Sequence, residues 1–125
     1  MIPLGAQGAV WLVSGVTDMR RGFDGLAAMV QKQLGEDPLS GSLFVFRGRK
    51  GERIKVLWFS GDGMCLFTKR LESGVFTWPQ AVSGAVHLSA AQLAMLLEGI
   101  DWRRPKRVLG RGVGSVGVRS SSQGF

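Results

Sequence analysis

Five cations fall within nine residues of this chain, Arg47, Arg49, Lys50, Arg53 and Lys55, interleaved with apolar side chains at the alternation of a β-strand. Phe44 and Phe46 precede them at the same spacing. Rings and cations on one sheet face are the chemistry of single-strand nucleic-acid recognition, in which rings stack on bases and cations hold phosphates. The same pattern also carries a plainer expectation, that a helix covers Phe44 and Phe46 while the cations snorkel into solvent.

Other cations extend the candidate DNA-contacting set. Lys69 and Arg70 close a later apolar run, and Arg103, Arg104, Lys106 and Arg107 follow Trp102 as a basic arm suited to neutralising phosphates, or as a solvated charge run. Phe76 and Trp78, just before Pro79, add aromatic anchors that suit stacking or a protein interface with a charged rim.

Catalytic chemistry is poorly served by comparison. His87 lies between Val86 and Leu88 with no nucleophile or orienting partner nominated nearby, so a structural role is expected. One cysteine, Cys65, and one histidine cannot complete a four-ligand zinc site. The carboxylates Asp18, Asp24, Asp62, Glu72, Glu98 and Asp101 could in principle converge on magnesium for a nuclease, but each has a simpler use at a helix start, in a turn or beside a cation. The Gly-rich segment from Gly110 does not lead from a strand into a helix with a Lys-Ser/Thr pair, which a phosphate loop requires. The expectation is a protein that is not an enzyme and uses neither metal nor cofactor.

The elements that must position these residues follow from punctuation and periodicity. Val10 to Val13 is short, apolar and β-prone, a first strand buried on both faces. Thr17 and Asp18 offer N-cap side chains to a helix whose apolar face is Phe23, Leu26, Ala27, Val30 and Leu34, ending at Gly35. Gly48 to Gly51 is expected to be a hairpin turn with Arg49-Lys50 as its tip. That register sets Arg47 opposite Glu52, Val45 opposite Ile54 and Leu43 opposite Val56. Leu43, Val45, Ile54, Val56 and Trp58 then share one face, and Phe44, Phe46, Arg53, Lys55, Leu57 and Phe59 the other. A second turn at Gly61-Asp62-Gly63 leads to a third hairpin strand, Met64 to Arg70. Phe76 to Trp78 is a candidate fourth strand and Val86 to Leu88 a short edge strand. Ser89 and Gln92 have capping-box spacing for a helix over Ala90 to Glu98, closed by Gly99.

The fold class expected is α+β: a mostly antiparallel β-meander sheet of four to five strands packed with two helices. The 125 residues suit one domain, placed at 1–107, followed by a flexible basic Gly/Ser-rich tail at 108–125. The formal net charge of +7 favours polyanionic partners. Residues 101–125, however, hold six basic side chains against one acidic, so much of that charge lies outside the sheet. A lone cysteine, the lack of a secretory pattern and the lack of a membrane-length apolar run suggest a cytoplasmic protein with no membrane partner.

Three segments carry a resemblance: TDMRRGFDGLA from Thr17, DPLSGSLFVFRGRKGERIKVLWFSGDGMCLFTKRLESGVFTWP from Asp37, and LSAAQLAMLLEGIDWRRP from Leu88. Together they resemble the TnpB-type accessory protein, the second open reading frame of the IS66 family of bacterial insertion sequences. The resemblance covers roughly residues 1–107 and includes Asp18, Arg20, Gly22, Phe23, Lys55 and Trp78. It implies a small protein that acts beside a separate transposase in transposition, with no catalytic residues to assign. DNA is the partner this reading favours. The alternative is an adaptor that recruits or stabilises the transposase through Phe76 and Trp78 without touching DNA, and a metal-dependent nuclease is the weaker third reading.

Overall fold

The computed structural model describes residues 2–3, 8–80, 84–101 and 106–107. Its centre is a five-stranded sheet in the order β4-β3-β2-β1-β5, built from β1 (Val10–Val13), β2 (Leu43–Arg47), β3 (Arg53–Phe59), β4 (Met64–Arg70) and β5 (Ala85–Leu88). β2, β3 and β4 form the antiparallel meander, and β5 pairs antiparallel with β1 at the far edge. β1 and β2 run parallel, with Val10 opposite Leu43 and Leu12 opposite Val45. Parallel neighbours need a crossover, and the helix α1 (Phe23–Met29), continued as one π-helical turn over Val30–Leu34, supplies it. The architecture is α+β, as the residue pattern implies.

Each sheet face has its own core, which follows from period-two alternation. Val10, Leu12, Leu43, Val45, Ile54, Val56 and Trp58 pack with Leu93 and Leu96 of α2 (Ala90–Glu98) and with Phe76. On the opposite face Val13, Phe44, Phe46 and Leu57 pack beneath Leu26, Met29 and Val30 of the α1 segment. The partition of β2 and β3 into two faces therefore matches the expected one residue by residue.

The pairing between those strands differs from the expected register by two positions: Val45 faces Val56, Phe46 faces Lys55 and Arg47 faces Ile54. An even slip leaves every side chain on its own face. A two-residue tip at Arg49-Lys50 would force Arg49, and in a type I′ turn Lys50 as well, to positive φ. Instead the turn is wider: the Gly51 N–H donates to the Gly48 carbonyl at 3.1 Å and the Gly48 N–H to that of Arg53 at 3.2 Å. The positive φ falls on Gly51, at 77°.

Three further expectations are corrected. Phe76 to Trp78 is not a strand, because its backbone reaches the hairpin turn, with the Phe76 N–H donating to Gly51 O at 3.0 Å, and Pro79 removes the next ladder donor. The residue preceding α1 is Gly22, not Thr17 or Asp18. Asp18 is used instead in a local turn, accepting the Arg20 N–H at 3.0 Å. Phe23, assigned to the buried helix face, is 48% exposed, and Met29 takes its place in the core.

The capping box of α2 forms as expected. Ser89 Oγ accepts the Gln92 N–H at 3.0 Å, and Gln92 Oε1 accepts the Ser89 N–H at 2.9 Å. Gly99 ends the helix at φ 75°. Beyond it Ile100–Asp101 (β6) pairs with Lys106–Arg107 (β7) as a two-stranded ribbon. The tail placed at 108–125 lies outside the described residues. Among the described residues no helix is long and apolar enough to cross a membrane.

Candidate nucleic-acid interface

Burial removes the first proposed stacking platform. Phe44 and Phe46 are fully buried, at 0% exposure, because the α1 segment lies across them. No base can reach either ring. Phe76 is likewise enclosed at 1%, while Trp78 remains half-buried, its Nε1–H donating to Gly51 O at 2.9 Å and its indole edge-on to Phe76 at 5.6 Å.

The strand-borne cations divide by what lies within their reach. Lys55 is half-buried and its Nζ donates to the Arg21 carbonyl at 2.9 Å, fastening the segment before α1 to the middle of β3. Lys69 projects to the opposite face and donates to the Leu97 carbonyl at 2.7 Å, in the last turn of α2, where a cation also complements the helix dipole. Arg47 lays its guanidinium over the Trp78 ring at 5.7 Å from the centroid, and its Nε has no hydrogen-bond partner among the described residues. These three hold the fold together.

Among the described residues Arg49, Lys50 and Arg53 show no such hydrogen bond to a carbonyl, and they are exposed around the hairpin turn. They line an open groove of about 630 Å³ whose other wall is Val16 to Arg20. Several contacts hold that wall in place: the Thr17 N–H donates to Arg47 O at 2.8 Å, the Arg21 N–H to Asp18 O at 3.1 Å, and Lys55 takes the Arg21 carbonyl. Met19 packs against the turn so closely that a Cβ added to Gly48 would fall 2.8 Å from Met19 Cγ. Groove and turn therefore form one unit.

Arg20 adds a fourth cation to the groove, with its side chain 91% exposed. Its Nε and Nη2 grip the Asp18 carboxylate at 3.0 and 2.8 Å in a planar fork. The Arg20 side-chain hydrogen bond, followed by the Arg20 N–H, holds the Asp18 carboxyl well below its ordinary range, and Arg20 itself is pushed up by the same contact. Arg21, exposed beside it, is the fifth cation at this end. Neither arginine stands among the sequence-derived site residues. The adjacent pair in TDMRR was the available signal, but nothing local placed it against a hairpin some 30 residues later.

Of the remaining candidates, Arg70 sits opposite Arg53 across β3 and β4 and pairs with Glu72 at 3.2 Å. Lys106 and Arg107 belong to β7, while Arg103 and Arg104 lie outside the described residues. His87 is exposed on β5 and meets Trp11 edge-on at 5.3 Å. Cys65 is a half-buried thiol opposite Trp58. Among the described residues no three His, Cys, Asp or Glu side chains gather where a metal ion would be held.

Comparison with known proteins places this arrangement in a family. The family model described as IS66 Orf2 like protein matches residues 8–107. An uncharacterized protein of Sinorhizobium fredii (strain NBRC 101917 / NGR234), y4hO, is 56% identical over 106 residues, which is 85% of this chain and 92% of the relative. A second from the same strain, y4jC, is 44% identical over 90 residues, 72% of this chain and 77% of the relative. No solved structure matches.

Proposed function

The chain belongs to the IS66 Orf2-like family, and from that premise we propose that it serves transposition of an insertion sequence as a non-catalytic, cytoplasmic accessory protein that binds DNA through the groove at the hairpin turn. The observation that carries this reading is the imbalance of charge there. Arg20, Arg49, Lys50 and Arg53 line the groove with only Asp18 and Glu52 as acids, and Asp18 is already engaged by Arg20. An open, cation-rimmed groove on a braced turn suits the DNA backbone, whose phosphates dominate such affinity.

The test is affinity for DNA from the ends of the element against salt concentration. With Arg20, Arg21, Arg49, Lys50 and Arg53 neutralising about five phosphates, the log-log slope should be about −4 to −5. Absence of binding at low salt, or binding indifferent to salt, would sink the reading.

A second reading, an adaptor for the transposase, is favoured by one feature. Val75, 58% exposed, and half-buried Trp78 both pack over Gly51, making an apolar step beside the cationic turn. Co-purification with the transposase that survives nuclease treatment and is lost on Val75→Asp would support it.

A further inference from the structure

With Phe44, Phe46 and Phe76 enclosed, one Phe or Trp ring among the described residues is exposed: Phe23, at 48%. It opens α1 directly after Arg20, Arg21 and Gly22. A ring left about half exposed forgoes part of the free energy that a core position would give it. The helix has a buried stripe for such a ring, and Leu26, Met29 and Val30 fill it instead.

The surroundings of that ring are cationic and well fastened. Arg21 folds its aliphatic stem over the first turn of α1, since a Cβ added to Gly25 would lie 3.3 Å from Arg21 Cβ and Cγ. Its carbonyl is tied to β3 through Lys55 at 2.9 Å. Arg20, three residues from Phe23, is set in its plane by the fork to Asp18 and lines the groove. At 3.8 Å per Cα step, the backbone of Phe23 is at most about 11 Å from that of Arg20. Asp24, the exposed acid on this turn, leaves the helix about 100° around from Phe23, so ring and carboxylate diverge.

We propose that this surface takes single-stranded DNA, with Phe23 as the platform on which an unpaired base stacks and Arg20, Arg21 and the groove cations holding the flanking phosphates. The inference rests on the DNA-binding reading of the groove and adds strandedness to it. A duplex supplies phosphates to the groove but hides its base faces within the stack, so only an unpaired strand uses ring and cations together. A docked protein would use the ring too, but a surface so rich in cations would require an acidic partner.

The test compares a labelled oligothymidylate with a duplex of equal length, on wild type, Phe23→Ala, Phe23→Leu, Phe23→Trp and the charge-reversed Arg49→Glu/Lys50→Glu/Arg53→Glu protein, with circular dichroism melts run alongside. Phe23→Ala and Phe23→Leu should each weaken single-strand binding roughly 5- to 150-fold, the span of one base–ring stack, while Phe23→Trp retains it and duplex affinity changes less than about twofold. Equal losses on both DNAs, or wild-type single-strand affinity in Phe23→Ala, would overturn the proposal. In the second case, loss of both DNAs in the charge-reversed protein leaves the groove reading standing without it. Wild-type affinity for oligothymidylate together with loss of transposase co-purification in Phe23→Ala would replace the stacked base with a protein contact.

Discussion

Lys55 and Lys69 carry the same charge as Arg49, Lys50 and Arg53, yet the two groups have opposite fates. The lysines stand on strands beneath helices and reach the Arg21 and Leu97 carbonyls, so their charge is spent on fixing α1 and α2 to the sheet. The turn cations stand where the sheet ends, exposed and covered by neither described helix. The rings divide the same way, Phe44 and Phe46 under a helix and Phe23 at its open end. What separates scaffold from surface is not residue type but whether a second layer lies over the position.

The strongest way to break that division is to truncate one ring on each side of it. Phe46→Ala should destabilise the fold by about 3–5 kcal/mol, read as a lower urea midpoint, because a fully buried ring leaves a cavity. Phe23→Ala should stay within about 0.5 kcal/mol of wild type. Similar losses from the two would mean that Phe23 is part of the core.

Next in size is the charge contrast. Reversing Arg49, Lys50 and Arg53 together should reduce the salt slope of DNA binding by about three and weaken binding roughly 100-fold at low salt, without moving the melting temperature beyond a few degrees. Lys69→Met should do the converse. Losing its bond to the Leu97 carbonyl should cost about 1 kcal/mol of stability while the salt slope stays unchanged. A Lys69→Met protein with normal stability and weakened DNA binding would place that lysine on the surface side.

These contrasts also mark what the residue pattern could and could not reveal. Period-two alternation separated Leu43, Val45, Ile54 and Val56 from Phe44, Phe46 and Leu57, and Ser89 with Gln92 announced α2, because both signals are local. Which face α1 would cover is a long-range matter, so the mixed face of Phe44, Phe46 and Lys55 left both a helix-covered and a binding surface open. The parallel pairing of β1 with β2 was hidden for the same reason, since it is fixed by a crossover and not by any turn. The two-position slip at the hairpin came from turn chemistry, with Gly51 taking the positive φ that Arg49 and Lys50 avoid. Arg20 was missed because its place depends on the Thr17–Arg47 and Arg21–Lys55 hydrogen bonds, which join segments distant in sequence.

The smallest expected effect probes Asp18, one of the two acids that line the groove. Asp18 is held well below its ordinary carboxylate range by the Arg20 side chain and then the Arg20 N–H. A carboxylate lowered by folding contributes stability that is whole above the unfolded-state value and is lost as pH falls through that value toward the lower folded one. Between pH 5 and 9, above the ordinary carboxylate range of about 4 and well below the range in which arginine loses its proton, neither Asp18 nor Arg20 changes charge. The fork should therefore add no pH dependence to DNA binding there. Asp18→Asn keeps an oxygen for the Arg20 N–H but drops the charge, releasing the guanidinium to a phosphate. Arg20 already counts among the phosphate-neutralising cations, so the salt slope should stay near about −4 to −5 while affinity at low salt rises, with the pH profile in that window unaltered. Unchanged affinity would mean that Arg20 points away from the bound backbone, and would confine the phosphate contacts to the hairpin wall of the groove.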